Sequence, residues 1–347
     1  MRISNPAIPL DSVVVVIGAN GFIALETCEK LLQAGYRVRG TVRDVQKHHG
    51  WMHALFDKKW PGKFELELVA DFEEDAAFDR AFKGATGVMY VSTPIAFDAE
   101  PANFWDPVVK GTINTLEAAA RAGVKRYVLS SSSKAVESTR YNDPHNITAE
   151  TWNHEELQKA KSEPTVPTFE RTLSVYSAGR TLAELAFWSW IRETNPPFVA
   201  NCVVPDGNFG RLLDAGNTNT TAKSSNGMLK RALQGDWQTV LPKLAYFVDV
   251  QDTARLLVAA VGSNSIANER IFAYRHQATW NDLRRRVREL YPDRPGLVRG
   301  EDLDIDGRDL SNAEEPIRRA EEILKEVGAS GFTSETDILR DFITSLY

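Results

Sequence analysis

The chain of 347 residues is long enough for one large α/β domain with a smaller lobe, or for two modest domains. Its 43% hydrophobic and 25% charged residues are typical of a folded protein, and they exclude the disordered, collagen-like and disulfide-scaffold classes. A formal net charge of -6 argues against a nucleic acid partner, because proteins that bind phosphate backbones concentrate lysine and arginine on one face.

The cysteines and the apolar stretches indicate the cellular location of the protein. Cys28 and Cys202 each lie in an apolar stretch, which favours a reducing compartment, and we expect a cytoplasmic location. No stretch approaches the ~20 apolar residues that a membrane span needs, and we see no targeting segment, so no membrane partner is expected. The sequence leaves monomer and homodimer both open.

Strand and helix patterns alternate through the first 131 residues. The apolar, β-branched run 13–17 predicts a buried parallel strand, and the spacing in 22–34 predicts a helix. The same alternation continues with strands at 36–41, 64–69, 87–92 and 124–131 and helices at 75–82 and 107–122. This order predicts an α/β fold of the Rossmann type, a doubly wound parallel sheet.

The pattern changes after residue 133. We expect a long surface excursion with one short helix at 139–172, a helix at 176–193, a strand at 198–204, a flexible loop at 207–227 and a helix at 280–291 opened by Thr279 with Asp282. We therefore divide the chain into a dinucleotide-binding domain over 1–205 and a smaller C-terminal α/β lobe over 206–347, mainly for substrate. A strand or helix near 245–262 is a candidate for returning to the first domain.

A glycine-rich turn separates the first strand from the first helix. Gly18 permits a tight turn, and Gly21 lets the backbone approach a pyrophosphate at the positive end of the helix. The strand–turn–helix context makes this motif much more specific than glycine spacing alone. The turn residues predicted to contact the dinucleotide are Gly18, Asn20, Gly21, Phe22 and Ile23.

The end of the second strand indicates which dinucleotide binds. Arg43 and Lys47 lie one helical turn apart and can converge on a 2′-phosphate, which predicts NADP(H) as the cofactor. Asp44 argues against this prediction and for NAD(H), because a carboxylate there can accept a hydrogen bond from a ribose 2′-OH. The alternative that both cations are merely solvated stays open.

Two further strand ends would line the same cleft. Asp71 follows the third strand and is placed to accept from the adenine amino group with Phe72 beside the ring, although an Asp here also suits a helix N-cap. Ser92 and Thr93 end the fourth strand and would border the cofactor.

A phenol and a cation share a helix face farther along the chain. Hydride transfer to a carbonyl needs an acid for the developing alkoxide and a donor that polarises the carbonyl. The four-residue spacing of Tyr176 and Arg180 puts them side by side, an arrangement that lowers a tyrosine pKa.

The motifs together resemble the extended short-chain dehydrogenase/reductase family, in particular its fungal aldehyde reductases, methylglyoxal reductases and dihydroflavonol-4-reductases. The resemblance covers nearly the whole chain. It rests on residues 18–23, 36–43, 111–116, 125–132, 181–186 and 247–254. It implies that Ser132, with Ser133 as runner-up, polarises the carbonyl, that Tyr176 donates the proton, and that Tyr176 and residue 180 contact the cofactor.

Two positions depart from the family pattern. Arg180 stands where the family has the lysine that holds the nicotinamide ribose, and an arginine is longer, planar and always charged. Asp206 follows Pro205 where relatives carry an apolar or aromatic residue, close to the expected nicotinamide. Both Pro205 and Asp206 are counted among the predicted cofactor contacts.

We therefore expect an NADPH-dependent reductase of an aldehyde, a ketone or a β-keto ester, with a small carbonyl compound as substrate. The alternative is a repurposed scaffold that catalyses a non-redox step such as isomerisation, dehydration or cyclisation. His48, His49 and His53 lack a complete ligand set, so no metal is expected and they are interpreted as surface residues beside the 2′-phosphate site. The run 284–288 is interpreted as a solvated, arginine-rich helix face.

Overall fold

A computed structural model describes residues 1–92, 98–162, 166–214 and 224–346. The N-terminal half alternates strands and helices: β1 (Val13–Ile17), α1 (Phe22–Gln33), β2 (Arg37–Val42), α2 (Val45–Phe56), β3 (Phe64–Leu68), α3 (Asp79–Phe82), β4 (Gly87–Tyr90), α4 (Trp105–Ala122) and β5 (Arg126–Ser130). The next elements are β6 (His145–Asn146), α5 (His154–Ser162), α6 (Phe169–Thr194) and β7 (Val199–Pro205).

The remaining chain adds shorter strands and five helices among the described residues. They are β8 (Gly207–Phe209), α7 (Ser225–Gln234), β9 (Tyr246–Asp249), α8 (Val250–Gly262), β10 (Arg270–Ala273), β11 (His276–Gln277), α9 (Trp280–Leu290), β12 (Ser311–Asn312), α10 (Glu314–Glu326) and α11 (Glu335–Leu346). In the part of the chain that the structure describes, no helix combines the length and apolarity needed to cross a bilayer.

Seven strands form one parallel sheet in the order β10-β7-β5-β4-β1-β2-β3. The strand order reverses between β1 and β4, which in such sheets opens a crevice at the carboxyl ends of the two strands. This arrangement confirms the predicted Rossmann-type α/β fold. β10 belongs to this sheet although it comes from the C-terminal half of the chain.

Alternate residues of β1 face two different cores, as expected for a strand buried on both sides. Val14 and Val16 pack against α1, α2, α8 and α10, whereas Val15 and Ile17 pack against α3, α4 and α6. A third core lies in the C-terminal part and joins α7, α9 and α11 to β8 and β9.

The loop expected at 207–227 is in part regular structure. Residues Gly207–Phe209 form β8, which pairs in parallel with β9, and α7 begins at Ser225. The prediction was wrong here because the partner strand lies some forty residues farther along the chain, and no local pattern reports that pairing. Residues 215–223 of that segment lie outside the described residues.

Other differences have local causes. The helix expected at 75–82 covers only Asp79–Phe82, because Ala76 adopts a left-handed conformation with φ 61° and interrupts the turn. The helix expected from Tyr176 starts earlier, at Phe169, where the Thr168 side chain accepts from the N–H of Arg171. Thr279 and Asp282 form the predicted capping box at α9.

Arg284 departs from the expected solvated face of α9. Its side chain is fully buried, and its guanidinium donates to the carbonyl oxygens of Ala232, Arg299 and Gly300 and to Asp302. A planar group with five donors can serve several carbonyls at once, which a sequence pattern does not show. Arg284 thus joins α9 to the end of α7 and to the segment at 299–302.

Candidate active site

The glycine-rich turn lies at the carboxyl end of β1, where the strand order reverses. Gly18 has φ 74°, and a Cβ atom placed on it would lie 2.3 Å from Cβ of Ser92 and 2.7 Å from its hydroxyl oxygen. Only glycine fits this turn, both for its conformation and for its contact with the end of β4. The backbone N–H of Gly18 donates to the Thr41 hydroxyl, which ties the turn to β2.

The first turn of α1 follows at once. Gly21 is the N-cap in an extended conformation, and its carbonyl accepts from the N–H of Leu25. Since a helix leaves its first N–H groups without internal acceptors, the groups of Phe22 and Ile23 are placed to bind an anion. The half-buried Asn20 lies in the same turn. These features fit the pyrophosphate of a dinucleotide.

Two exposed cations lie beside this turn at the start of α2. Among the residues that the structure describes, neither the Arg43 guanidinium nor the Lys47 ammonium forms an ion pair or a hydrogen bond. Asp44 caps α2, and its carboxylate accepts from the N–H of Lys47 at 3.0 Å. This hydrogen bond gives Asp44 a structural role that the sequence analysis did not consider.

His48 is not the surface residue that the sequence analysis expected. It is 8% exposed, its Nδ1 accepts from the Trp51 indole at 3.3 Å, and its Nε2 lies 3.4 Å from the Asn20 side-chain amide. Burial, with Lys47 beside it, lowers the pKa of His48. The residue therefore links α2 to the glycine-rich turn, whereas His53 pairs with Asp57 at 2.8 Å.

The expected adenine end is formed by an exposed carboxylate and a half-buried ring. Asp71 accepts from the N–H of Glu73 at 2.8 Å and so closes a turn rather than capping a helix, since α3 begins only at Asp79. The Phe72 ring packs against Phe78 and Tyr90. Ser92 lies against Gly18, and Thr93 falls outside the described residues.

Consecutive serines continue from the end of β5 toward the other end of the crevice. The Ser131 hydroxyl donates to Glu184 at 2.5 Å, and the Ser133 hydroxyl donates to Asp206 at 2.7 Å. The Ser132 oxygen instead accepts from the N–H of Lys134 at 3.2 Å. Its hydroxyl proton is thereby left for a different acceptor, and the residue is half-buried.

Tyr176 lies on α6, which runs past these serines. Its half-buried ring stacks on Phe104 with the centroids 5.7 Å apart. Phe104 can approach because residue 179 is glycine: a Cβ there would lie 2.4 Å from the Phe104 ring. Close packing of α4 against α6 thus orients the phenol.

Arg180 lies one turn farther along α6. It is 3% exposed, and its guanidinium donates to the Ser130 carbonyl at 2.8 Å. The side chain therefore reaches the last residue of β5. The sequence analysis expected this residue beside Tyr176 and did not foresee the contact with β5.

Asp206 follows Pro205 at the end of β7 and is fixed by two elements. One carboxylate oxygen accepts from Ser133, and the other accepts from the N–H of Tyr246 at 3.1 Å. Burial raises the pKa of Asp206, an effect that Lys134 and Ser133 oppose. Lys134, two residues after Ser132, was not singled out from the sequence.

The site also contains a buried ion pair that sequence reasoning missed. Glu184 of α6 is fully buried and accepts from Nε of Arg270 at 2.7 Å. Glu184 lies four residues after Arg180, which itself lies four residues after Tyr176, so all three share one face of α6. This spacing was the signal from which the sequence could have identified Glu184. No cluster of His, Cys, Asp or Glu in the described ranges is arranged to hold a metal ion.

Comparison with known proteins identifies the family. Residues 14–273 match the NAD dependent epimerase/dehydratase family. Aldehyde reductase 2 of Sporidiobolus salmonicolor is 32% identical, with 99% of this chain and 98% of that protein covered. Ketoreductase adrE of Penicillium rubens is 34% identical, with 95% of each covered.

A solved structure shows the same fold. Gre2 from Candida albicans, crystallised in complex with NADPH, has a TM-score of 0.81 at 24% identity, with 97% of this chain and 98% of that chain covered. At this identity the likeness concerns the fold alone. The sequence matches confirm the resemblance drawn from the motifs: this chain belongs to the NAD dependent epimerase/dehydratase family, the extended short-chain dehydrogenase/reductases.

Proposed function

We propose that the protein is an NADPH-dependent reductase of a small carbonyl compound, an aldehyde, a ketone or a β-keto ester. Relatives named aldehyde reductase and ketoreductase align over nearly the whole chain and support this activity. Arg43 and Lys47 support NADPH over NADH, because two exposed cations beside the glycine-rich turn favour an additional phosphate.

The observation that carries the proposal is the hydrogen bonding of the serines after β5. Ser131 and Ser133 each donate to a carboxylate, whereas Ser132 accepts from a backbone N–H. The Ser132 hydroxyl can therefore donate to a substrate carbonyl oxygen and polarise it.

NADPH, when bound, would supply the hydride that reduces the carbonyl carbon. Tyr176 is the proton donor in this proposal, and its proton neutralises the alkoxide oxygen as the carbon–hydrogen bond forms. Arg180 takes the place of the family lysine and provides a fixed positive charge on the same helix face. Asp206 accepts a hydrogen bond from Ser133, next to Ser132, and in this proposal it helps to determine which substrates fit the site.

Arg180 also favours a second candidate function. Its guanidinium is buried and donates to the Ser130 carbonyl, and it differs from a lysine ammonium in both shape and hydrogen-bonding geometry. A scaffold with this residue would suit a non-redox step, such as isomerisation, dehydration or cyclisation. Product formation in the absence of any nucleotide would favour this candidate over the reductase.

The test of the reductase is direct. Purified protein is mixed with NADPH and a panel of aldehydes, ketones and β-keto esters, and the loss of reduced nicotinamide absorbance is followed. We expect turnover with at least one class, a fall of about 10²–10⁴ in kcat for Tyr176→Phe, and no change for Ser189→Ala on the same helix. Tight NADPH binding without consumption of any carbonyl would contradict the proposal.

The cellular location and the oligomeric state of the protein complete the proposal. We propose a cytoplasmic location because Cys28 and Cys202 are buried free thiols, as expected in a reducing compartment. For the oligomeric state, monomer and homodimer are the two alternatives. Sedimentation of the purified protein would distinguish them.

A further inference from the structure

Two successive turns of α6 bind two successive residues at the end of β5. Arg180 donates to the Ser130 carbonyl at 2.8 Å, and the Ser131 hydroxyl donates to Glu184 at 2.5 Å. We call these four residues the strand–helix clamp. The clamp joins the strand that leads into Ser132 to the helix that carries Tyr176.

The Glu184 carboxylate is itself held by a buried cation. It is fully buried, and it accepts from Nε of Arg270 on β10 at 2.7 Å. It also receives the Trp188 indole N–H and the Cys202 thiol, each at 3.4 Å. A buried carboxylate with this many donors has little freedom to rotate, so the acceptor offered to Ser131 is fixed in space.

Arg270 is fixed from its other side. Its guanidinium donates to the carbonyl oxygens of Ala149 at 2.9 Å and Thr151 at 2.6 Å, and it lies 3.9 Å from the centre of the Trp152 ring. The cation thus connects the edge strand β10, the segment before α5 and the catalytic helix. Its position does not depend on Glu184 alone.

We propose that Glu184 is a positioning residue: set by Arg270, it holds Ser131 and thereby fixes the distance between the Ser132 hydroxyl and the Tyr176 phenol. This inference rests on the proposed reductase activity. Both groups must reach one carbonyl oxygen, and a misplacement of about 1 Å costs on the order of 100-fold in rate. The clamp adds to two other restraints on this segment, the hydrogen bond from the Ser131 N–H to the Val203 carbonyl at 2.7 Å and the short helical turn that follows Ser132.

Ser131→Ala is the mildest test, because it removes the clamp hydrogen bond and leaves the Glu184–Arg270 pair intact. Ser177→Ala is the matched control, since Ser177 is a buried serine whose hydroxyl bonds within α6, to the Leu173 carbonyl. We expect Ser131→Ala to lower kcat about 100-fold with an unchanged Kd for NADPH. Ser177→Ala should retain the parent kcat.

Glu184→Gln tests the carboxylate itself. The variant keeps one side-chain oxygen, which can accept from either Ser131 or Arg270. Its control is Glu269→Gln: Glu269 directly precedes Arg270 in the sequence, and this substitution breaks the ion pair in which both Glu269 oxygens accept from Arg319. We expect kcat to fall for Glu184→Gln and to stay unchanged for Glu269→Gln, with NADPH affinity preserved in both.

Crystal structures of the parent and Ser131→Ala separate this inference from the proposed function. We expect the distance from Oγ of Ser132 to Oη of Tyr176 to change by more than about 0.5 Å in the variant. An unchanged distance, or a kcat equal to that of Ser177→Ala, would overturn the role of Glu184 while leaving a reductase intact. A parent that oxidises no NADPH with any carbonyl would refute the reductase, and the two structures would still decide whether the clamp positions Ser132.

Discussion

Arg180 donates to the backbone carbonyl of Ser130 across the gap between α6 and β5, at 2.8 Å. Arg180, at the position where the resemblance predicts a lysine, thus has a structural partner within the protein. A guanidinium is long enough to bind this carbonyl from a buried position on α6, and a lysine ammonium is shorter and carries a compact charge.

The first prediction concerns this residue. If Arg180 does the work of the lysine, Arg180→Lys keeps kcat within about tenfold, whereas Arg180→Met lowers it by about 10²–10⁴ because the charge is lost. Steady-state NADPH oxidation measures both variants, with Arg192→Met on the exposed end of α6 as the control. A large gain in rate for Arg180→Lys would show that the native residue is not adapted to reduction.

The second prediction concerns the choice of cofactor. If Arg43 and Lys47 bind the 2′-phosphate as proposed, each alanine variant loses a charge-assisted contact. It should then weaken NADPH binding about 10- to 100-fold and leave NADH binding nearly unchanged. Fluorescence titration of both nucleotides gives the ratio of Kd values. Lys58→Ala, an exposed lysine just beyond α2, is the control. Equal weakening of NADPH and NADH binding would exclude a phosphate contact.

The third prediction separates two effects at the glycine-rich turn. Gly18→Ala combines a strained left-handed backbone with the overlap on Ser92, whereas Gly35→Ala has φ 91° and open space around its Cβ. Both should lower the free energy of unfolding by about 1–3 kcal/mol through backbone strain. Only Gly18→Ala should also abolish NADPH binding.

Urea unfolding and nucleotide titration measure the two effects at Gly18. The double variant Gly18→Ala, Ser92→Gly removes the side chain that the new Cβ would meet. It should recover part of the lost binding. No difference in binding between Gly18→Ala and Gly35→Ala would refute the steric explanation.

The fourth prediction is a pH dependence of stability. Burial, with Asp252 beside it, raises the pKa of Asp249 from 3.8 to about 7, while Arg255 opposes the shift and Glu26 adds to it. Between these values the folded protein keeps a proton that the unfolded chain has released. The stability from the neutral carboxyl is therefore complete below pH 3.8 and is lost as the pH rises through about 7.

Asp249→Asn mimics the neutral form and should escape this loss. Relative to the parent, its free energy of unfolding should rise with pH by at most about 1.4 kcal/mol per pH unit. Urea unfolding at several pH values between about 4 and 8 tests this window. The exposed Asp304→Asn serves as the control, and parallel curves for the parent and Asp249→Asn would contradict the shifted pKa.

Predictions from the sequence were most accurate for features formed by residues that are close together in the chain. The turn at Gly18 is local, because the strand, the turn and the helix follow one another, and its conformation agrees with the tight turn expected. The spacing of Tyr176 and Arg180 is equally local, since both lie on α6. The roles of these residues in cofactor binding and catalysis stay predictions.

Long-range contacts were beyond sequence reasoning. His48 is buried because α2 turns it toward Asn20, and Arg284 is buried because three carbonyl oxygens from two distant segments surround it. Neither charge nor spacing distinguishes these residues from exposed neighbours. Glu184 is similar, because its partner Arg270 comes from a strand eighty-six residues away.

β10 has a consequence for how the chain is made. Its four residues cover β7, and the Asn201 side chain within β7 accepts from the N–H of Glu269 just before β10. A nascent chain on the ribosome thus exposes the hydrogen-bonding edge of β7 until residue 273 has emerged, long after the glycine-rich turn can form. The half of the protein that would bind NADPH therefore completes its sheet late in synthesis, and a truncated fragment ending at 205 would present that edge for aggregation.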